Sequence, residues 1–385
     1  MVTPLLPHAE SAAGGALVMF GQLAALATRH EVTLVALAGP HASDQRGLEA
    51  LARLNVEVHH VWRPSARGWH RWRARTRLGL EWLRATEPLR TLKFRDPRLQ
   101  ELVNRLARNR RFDLIQIEDN AMGVYRYPDC VPTVFTEHEV RAAPAQLERG
   151  RWIAYQRRVW NRFDRIQVFT ERDAAAIRRL APEVAGRVRV NPFGVTAGAA
   201  ADPSLEAEGE VVFVGAFYHP PNVDAALWLG QQIFPSLRRL HPQAHLTVVG
   251  ADPPRSVRAL AGRGITVTGR VPRVEPYLER AAVVVAPIRI GGGMRLKVLQ
   301  AMALGKPVVT TPLGAEGLVQ VDGATPLVVA EGAEEMARIT AGLLEGRTAR
   351  RELGQRARAF VLEHHGWPAY ARRLGAVYAE LGLLS

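Results

Sequence analysis

Three consecutive glycines, Gly291, Gly292 and Gly293, lie between an apolar run ending at Ile288 and a stretch that reads as a helix from Met294 to Leu304. Arg295 and Lys297 fall in its first turn. Glycines let backbone amides approach a ligand closely, and a helix N-terminus adds partial positive charge. Two cations there oppose the helix dipole, so a purely structural helix would favour Asp or Glu. The combination predicts a bound anion, and a diphosphate suits it. A glycine-rich turn with two solvated charges is the bland alternative. Lys297 stands out because the chain holds 48 arginines and only three lysines, at 93, 297 and 306. Lys306, between Gly305 and Pro307, reads as an exposed turn residue.

The elements that must position these residues are short apolar runs alternating with helical periodicity. In the first half they are Glu31 to Gly39, Val56 to Trp62, Asp113 to Asp119, Thr133 to His138 and Arg165 to Thr170, with a helical stretch at Ala16 to Ala27. A small, acidic stretch without periodicity, Thr196 to Gly209, reads as a linker. A second series follows at Glu210 to Phe217, Ala244 to Gly250, Gly264 to Gly269, Ala281 to Ile288, Lys306 to Thr311 and Pro326 to Ala330. Near-continuous apolar runs suit strands covered on both faces, so the expected class is α/β with two doubly wound parallel sheets and a ligand cleft between the carboxyl ends of their strands. The first strand, before Pro4, is unusually short.

Composition narrows the chemistry. The 385 residues carry a net charge of +14 with 47% hydrophobic residues, a soluble composition long enough for two cores. One cysteine, Cys130, excludes an internal disulfide framework and a multi-cysteine zinc site. No Asp-x-Asp pair suited to a metal-bound diphosphate is present, so no metal and no cofactor are expected. The uncharged stretch Ser11 to Thr28 contains Gly14, Gly15 and Gln22 and falls short of the roughly 20 apolar residues a bilayer needs. No basic residue precedes it, so a signal peptide does not fit and the expected location is cytoplasmic.

The positive charge is concentrated. Between Arg63 and Arg111, fourteen arginines and Lys93 face four acidic residues, so eleven of the fourteen net charges lie there. Four of the eight tryptophans, at 62, 69, 72 and 82, lie in or next to the same segment. At helical spacing Trp69, Trp72, Leu80 and Leu83 share a face bordered by Arg71, Arg73, Arg75, Arg77 and Arg84. Residues 62–84 therefore suit peripheral contact with an anionic membrane, where each basic residue adds about 1 kcal/mol. A solvated basic helix with inward tryptophans is the alternative. No nucleic-acid recognition motif accompanies the charge, and no nucleic-acid partner is expected.

The segment GGGMRLKVLQAMALGKPVVTTPLGAEGL, with FVGAFYHPPNVDA, VTGRVPRVEPYLERAAVVVAP, NPFGV and the closing GWPAYARRLGAVYAEL, resembles the signature of the group 1 (family 4) retaining glycosyltransferases, which have the GT-B fold. The likeness covers nearly the whole chain. It implies an acceptor-binding domain over residues 1–197, a linker over 198–209 and a donor-binding domain over 210–365. A closing helix over 366–385 would cross back to the first domain. It also implies that Arg295 and Lys297 hold a donor diphosphate and that amides at Gly291, Gly292, Gly293 and Met294 face the sugar. Backbone near Arg270, Val271 and Pro272 would meet the base, and Gly215 would shape the donor site. Gly14 and Gly15 resemble a loop that closes on the phosphates, and His138 the family histidine near the transferred sugar. Glu316 would contact the sugar or cap a helix.

The chain departs from the family pattern at two glutamate positions, and where the family often has a basic pair, Ala216 to Asn222 offers only His219. Where the family has two glutamates eight positions apart, this sequence has Gly292 and Gln300. Gln300 can still accept a ribose hydroxyl's hydrogen bond through its amide oxygen. Losing the charge weakens that bond by about 1 kcal/mol. The resemblance implies transfer of a sugar from a nucleotide diphosphate to a hydroxyl of a glycan or lipid-linked acceptor, in exopolysaccharide or envelope glycan synthesis. Front-face displacement would need no protein nucleophile. A non-catalytic nucleotide-sugar or glycan-binding scaffold is the rival reading, and an epimerase of the same architecture a third.

Overall fold

The computed structural model describes residues 1–9, 11, 14–39, 42–63, 69–140, 148–318 and 326–383, without the side chains of 42–44, 69–75 and 77. The chain divides into two compact units: Met1–Asn191 with Ala371–Ser385, and Pro192–Tyr370.

The first unit is built on seven strands, β1 (Val2–Thr3), β2 (Thr33–Ala38), β3 (Glu57–Trp62), β4 (Ile115–Glu118), β5 (Thr133–Glu137), β6 (Arg165–Val168) and β7 (Val188–Val190). They form one parallel sheet in the order β3-β2-β1-β4-β5-β6-β7. Every residue of β4 and β5 is buried, as a strand covered on both faces requires. The strand order reverses at β1, where Val2 lies beside Val35 of β2 and Ile117 of β4. The covering helices follow from local chemistry. Helix Pro97–Asn109 starts where Asp96 accepts a hydrogen bond from the Arg98 amide at 3.1 Å and proline takes the first turn. Its Leu99, Leu102, Val103 and Leu106 then face the core.

The second unit repeats the plan with β8 (Glu210–Val214), β9 (His245–Val249), β10 (Ile265–Val267), β11 (Val283–Ala286), β12 (Val308–Thr310) and β13 (Val328–Val329). All six are parallel, in the order β10-β9-β8-β11-β12-β13. The reversal here lies at β8, with β9 on one side and β11 on the other. Each expected strand segment contains an observed strand; β7 was not among them.

The stretch 196–209, read as a linker, runs along the second unit. The Ala201 and Ala207 amides donate to the Leu304 and Arg280 carbonyls, at 2.9 Å each. Glu206 accepts from Arg350 at 2.6 Å. Lys306 is not the exposed turn residue its neighbours suggest: it is buried, and its ammonium donates to the Glu279 carbonyl at 2.6 Å. The closing helix is Trp367–Ala379, and its residues from Ala371 onward group with the first unit. There Tyr378 donates to Gln116 at 2.5 Å. Glu380 pairs with Arg189 at 2.6 Å and with Arg165 at 2.9 Å.

Candidate donor site and the histidine dyad

Ligands of doubly wound sheets bind at the carboxyl ends of the strands, where the order reverses. In the second unit that point lies between β8 and β11. After β8 comes Gly215, where an added Cβ would stand 2.9 Å from Asn222. Asn222 lies in helix Pro220–Trp228 and is anchored by donating to the Ala216 carbonyl at 2.8 Å. Its side-chain oxygen accepts a hydrogen bond from the Lys297 ammonium. Gly215 thus leaves the room in which Asn222 reaches the lysine.

After β11, Gly291 and Gly293 take φ of 98° and 74°, conformations that side-chain-bearing residues rarely adopt. A Cβ on Gly291 would also come within 2.9 Å of Pro221. The helix begins later than its periodicity suggests, at Leu296, and runs to Ala303. Glycines with positive φ and an extended Arg295 at the N-cap (φ −104°, ψ 93°) hold the preceding residues, Met294 included, out of the helix. Arg295 is buried, and its guanidinium donates to the Gly292 carbonyl at 2.5 Å. Lys297 sits at the second helical position with its ammonium 4.9 Å from the Phe213 ring centroid, a cation–π distance. Burial, and then the charge of Arg295, push the Lys297 ammonium down to about 7.

Gln300 lies one turn beyond Lys297 on the same helix face, half-buried. Glu316 is in the half-buried turn after β12. Thr311 ties this turn to the end of β11, donating to the Ile288 carbonyl and accepting from the Gly314 amide at 3.0 Å. Arg270, Val271 and Pro272 follow edge strand β10, where Arg270 pairs with Asp252 at 2.8 Å and both side chains are exposed. Asn222 and Phe213, which contact the Lys297 ammonium, were not singled out from the sequence. Asn222 lay in a phrase quoted for its resemblance, yet its partner is 75 residues away.

In the first unit, Gly14 and Gly15 open helix Gly14–Leu26, and His138 follows β5. A Cβ on Gly15 would lie 4.0 Å from His138 Nδ1, so this helix start stands beside the imidazole. The ring's other nitrogen, Nε2, meets Glu118 Oε2 at 2.7 Å. Glu118 ends β4, is fully buried, and also accepts from Gln116 at 2.5 Å and Thr136 at 2.9 Å. Burial acts to lower the His138 pKa, but the hydrogen bond and charge of Glu118 outweigh it and the imidazole titrates above its usual range. Phe169 packs edge-on against the ring at 5.1 Å. Glu118 was missed because nothing in a run of strand residues marks one carboxylate as a histidine's partner. Next to it, Asp119 adopts φ 72° and accepts from Arg90 at 3.2 Å. Sparsely populated backbone of this kind gathers at functional sites.

The second unit therefore offers glycine-loop amides, a buried guanidinium and an ammonium poised near neutrality. Such a set suits an anion whose negative charge restores the lysine's proton. The first unit offers an imidazole oriented by a buried carboxylate.

Residues 208–346 match the family model described as Glycosyl transferases group 1. Over 149 residues the chain is 28% identical to an uncharacterized glycosyltransferase of Methanocaldococcus jannaschii, a match that takes in 35% of this chain and 37% of that relative. Sucrose-phosphate synthase from Thermosynechococcus elongatus has the same fold at a TM-score of 0.69 and 18% identity, over 99% of this chain and 98% of that one. HepE from Anabaena, in complex with UDP and glucose, matches at a TM-score of 0.69 and 15% identity, over 98% and 99%. The fold is thus GT-B. The likeness to the group 1 glycosyltransferases lies in the second unit.

Proposed function

We propose that the protein is a retaining glycosyltransferase that moves a sugar from a nucleotide diphosphate to a hydroxyl of a glycan or lipid-linked acceptor. The observation that carries this reading is the gathering of Arg295, Lys297 and the Gly291–Gly293 loop where the strand order of the second unit reverses. HepE, of the same fold, has been solved with UDP-glucose. In this reading the leaving diphosphate is stabilised by the two cations and the loop amides, preorganised for charge that grows as the sugar departs. Gln300 accepts a ribose hydroxyl, and Glu316 lies on the sugar side. His138, oriented by Glu118, takes the part of the family histidine near the transferred sugar.

Contact with an anionic membrane through residues 62–84 is part of the proposal. Trp62, Leu80 and Leu83 are exposed there, whereas Trp82 is engaged within the unit, donating to Glu148 at 2.7 Å beneath the Arg151 guanidinium. Trp69, Trp72 and the arginines from 71 to 77 lie outside the described side chains. Among the described residues no helix is long and apolar enough to cross a membrane.

The test is release of nucleoside diphosphate from a panel of nucleotide sugars, with and without a membrane lipid extract. Release from one donor that disappears in Lys297→Ala supports transfer and names the sugar. Saturable nucleotide binding without release from any donor would overturn it in favour of a binding scaffold.

A further inference from the structure

A second concentration of cations lies on the first unit, in a groove independent of the histidine dyad. It is an open cavity of about 460 Å³ between edge strand β3 and helix Pro97–Asn109, lined by His59, His60, Arg98, Glu101, Arg105 and Arg108 over a floor of Val61 and Leu102. The arginines recur at seven- and three-residue spacing, which sets them along one helix face. Neighbouring acids are already engaged: Glu57 by Arg110, and Asp96 by Arg98 at 2.8 Å. Arg105 and Arg108 have no hydrogen bond or ion pair among the described residues. Glu101, the one acidic residue in the lining, stands four positions before Arg105 yet makes no ion pair with it. Like charges gathered around a concavity repel one another, and an anion with several acceptor oxygens relieves that repulsion through forked guanidinium bonds.

We propose that this groove binds phosphate groups, with Arg105 and Arg108 as the primary contacts and Arg98, His59 and His60 around them. The source is either a free phosphorylated molecule or an anionic lipid headgroup at the membrane surface.

Calorimetry with inorganic pyrophosphate and flotation with vesicles of pure phosphatidylglycerol or pure phosphatidylcholine test it. Both use the full chain, the double variants R105E/R108E and R105Q/R108Q, and R295A/K297A. Because the groove arginines are exposed, melting temperature checks that the variants fold. The expected result is a pyrophosphate site that survives R295A/K297A and weakens roughly tenfold or more in R105Q/R108Q, and further in R105E/R108E. That outcome assigns the groove to free phosphorylated ligands. Flotation on phosphatidylglycerol alone, lost in both groove variants without a pyrophosphate site, assigns it to headgroups. If neither pyrophosphate binding nor flotation changes in the groove variants, the proposal is overturned. Loss of pyrophosphate binding only in R295A/K297A, with flotation unchanged in the groove variants, likewise overturns it while leaving the donor reading standing.

Discussion

At Lys297 charge and surroundings conflict, because the ammonium is buried and stands beside the charge of Arg295. With a pKa of about 7, Lys297 is shared between ammonium and amine at neutral pH, and a bound diphosphate raises that pKa. Affinity for nucleoside diphosphate should then be level below pH 7 and fall as pH rises through 7, by up to tenfold per unit. Titration calorimetry in buffers of different ionisation enthalpy would also show proton uptake on binding; a flat profile from pH 6 to 9 would contradict the assignment. At His138 the sign is opposite, because Glu118 holds the pKa up. Glu118→Gln should lower the imidazole pKa, read by NMR titration of the ring protons, with Glu118→Ala as the cruder comparison. Arg295 and Lys297 were legible in the sequence because glycines and cations adjoin there. Glu118 and Asn222 were not, since each joins the candidate site only through a partner brought close by tertiary folding.

Among the elements, the Gly291–Gly293 loop depends most on residue type. Gly291→Ala places a side chain at φ 98° and against Pro221. The substitution should cost about 1 to 2 kcal/mol from the backbone alone, measurable by urea unfolding, and should weaken nucleotide binding as the loop shifts. An unchanged unfolding midpoint would mean that the loop tolerates another conformation. The central strands were readable as runs of β-branched residues because both faces of the sheets are covered. β7 escaped because its three residues, Val188–Val190, carry an arginine in the middle. The start of helix Leu296–Ala303 was read two residues early because periodicity cannot register the extended N-cap at Arg295. Lys306 was misread because nothing local signals that Glu279 and Glu206 stand ready to receive a buried ammonium.

At the scale of the molecule, two sheets that share a six-strand order, the first with β7 added at its edge, are built from one chain that passes between the units twice, after Asn191 and after Tyr370. The second passage leaves the last described residues bound to the first unit. Arg189, first through its hydrogen bond and then with Arg165, holds the Glu380 carboxyl down to about 2 from its ordinary 4.5. A depressed carboxylate adds stability above its unfolded pKa and loses it as the carboxylate is protonated. Glu380→Gln should therefore lower the melting temperature at pH 7 and lose that difference between pH 4.5 and 2. An equal deficit at pH 7 and pH 2 would exclude the ion pairs as its cause. The alternation of strand and helix made the two-sheet plan legible, while the destination of the closing helix came from resemblance alone.

The shared closing helix also bears on synthesis. A ribosome delivers residues 1–191 first, but Gln116, Arg165, Arg189 and Asn191 meet Tyr378, Glu380 and Arg373 only after the whole second unit has been made. The second unit closes upon itself from consecutive residues, whereas the first must wait, incompletely covered, for the final turns of the chain. Nascent first units are thus the stage at which chaperones or premature association have most time to act.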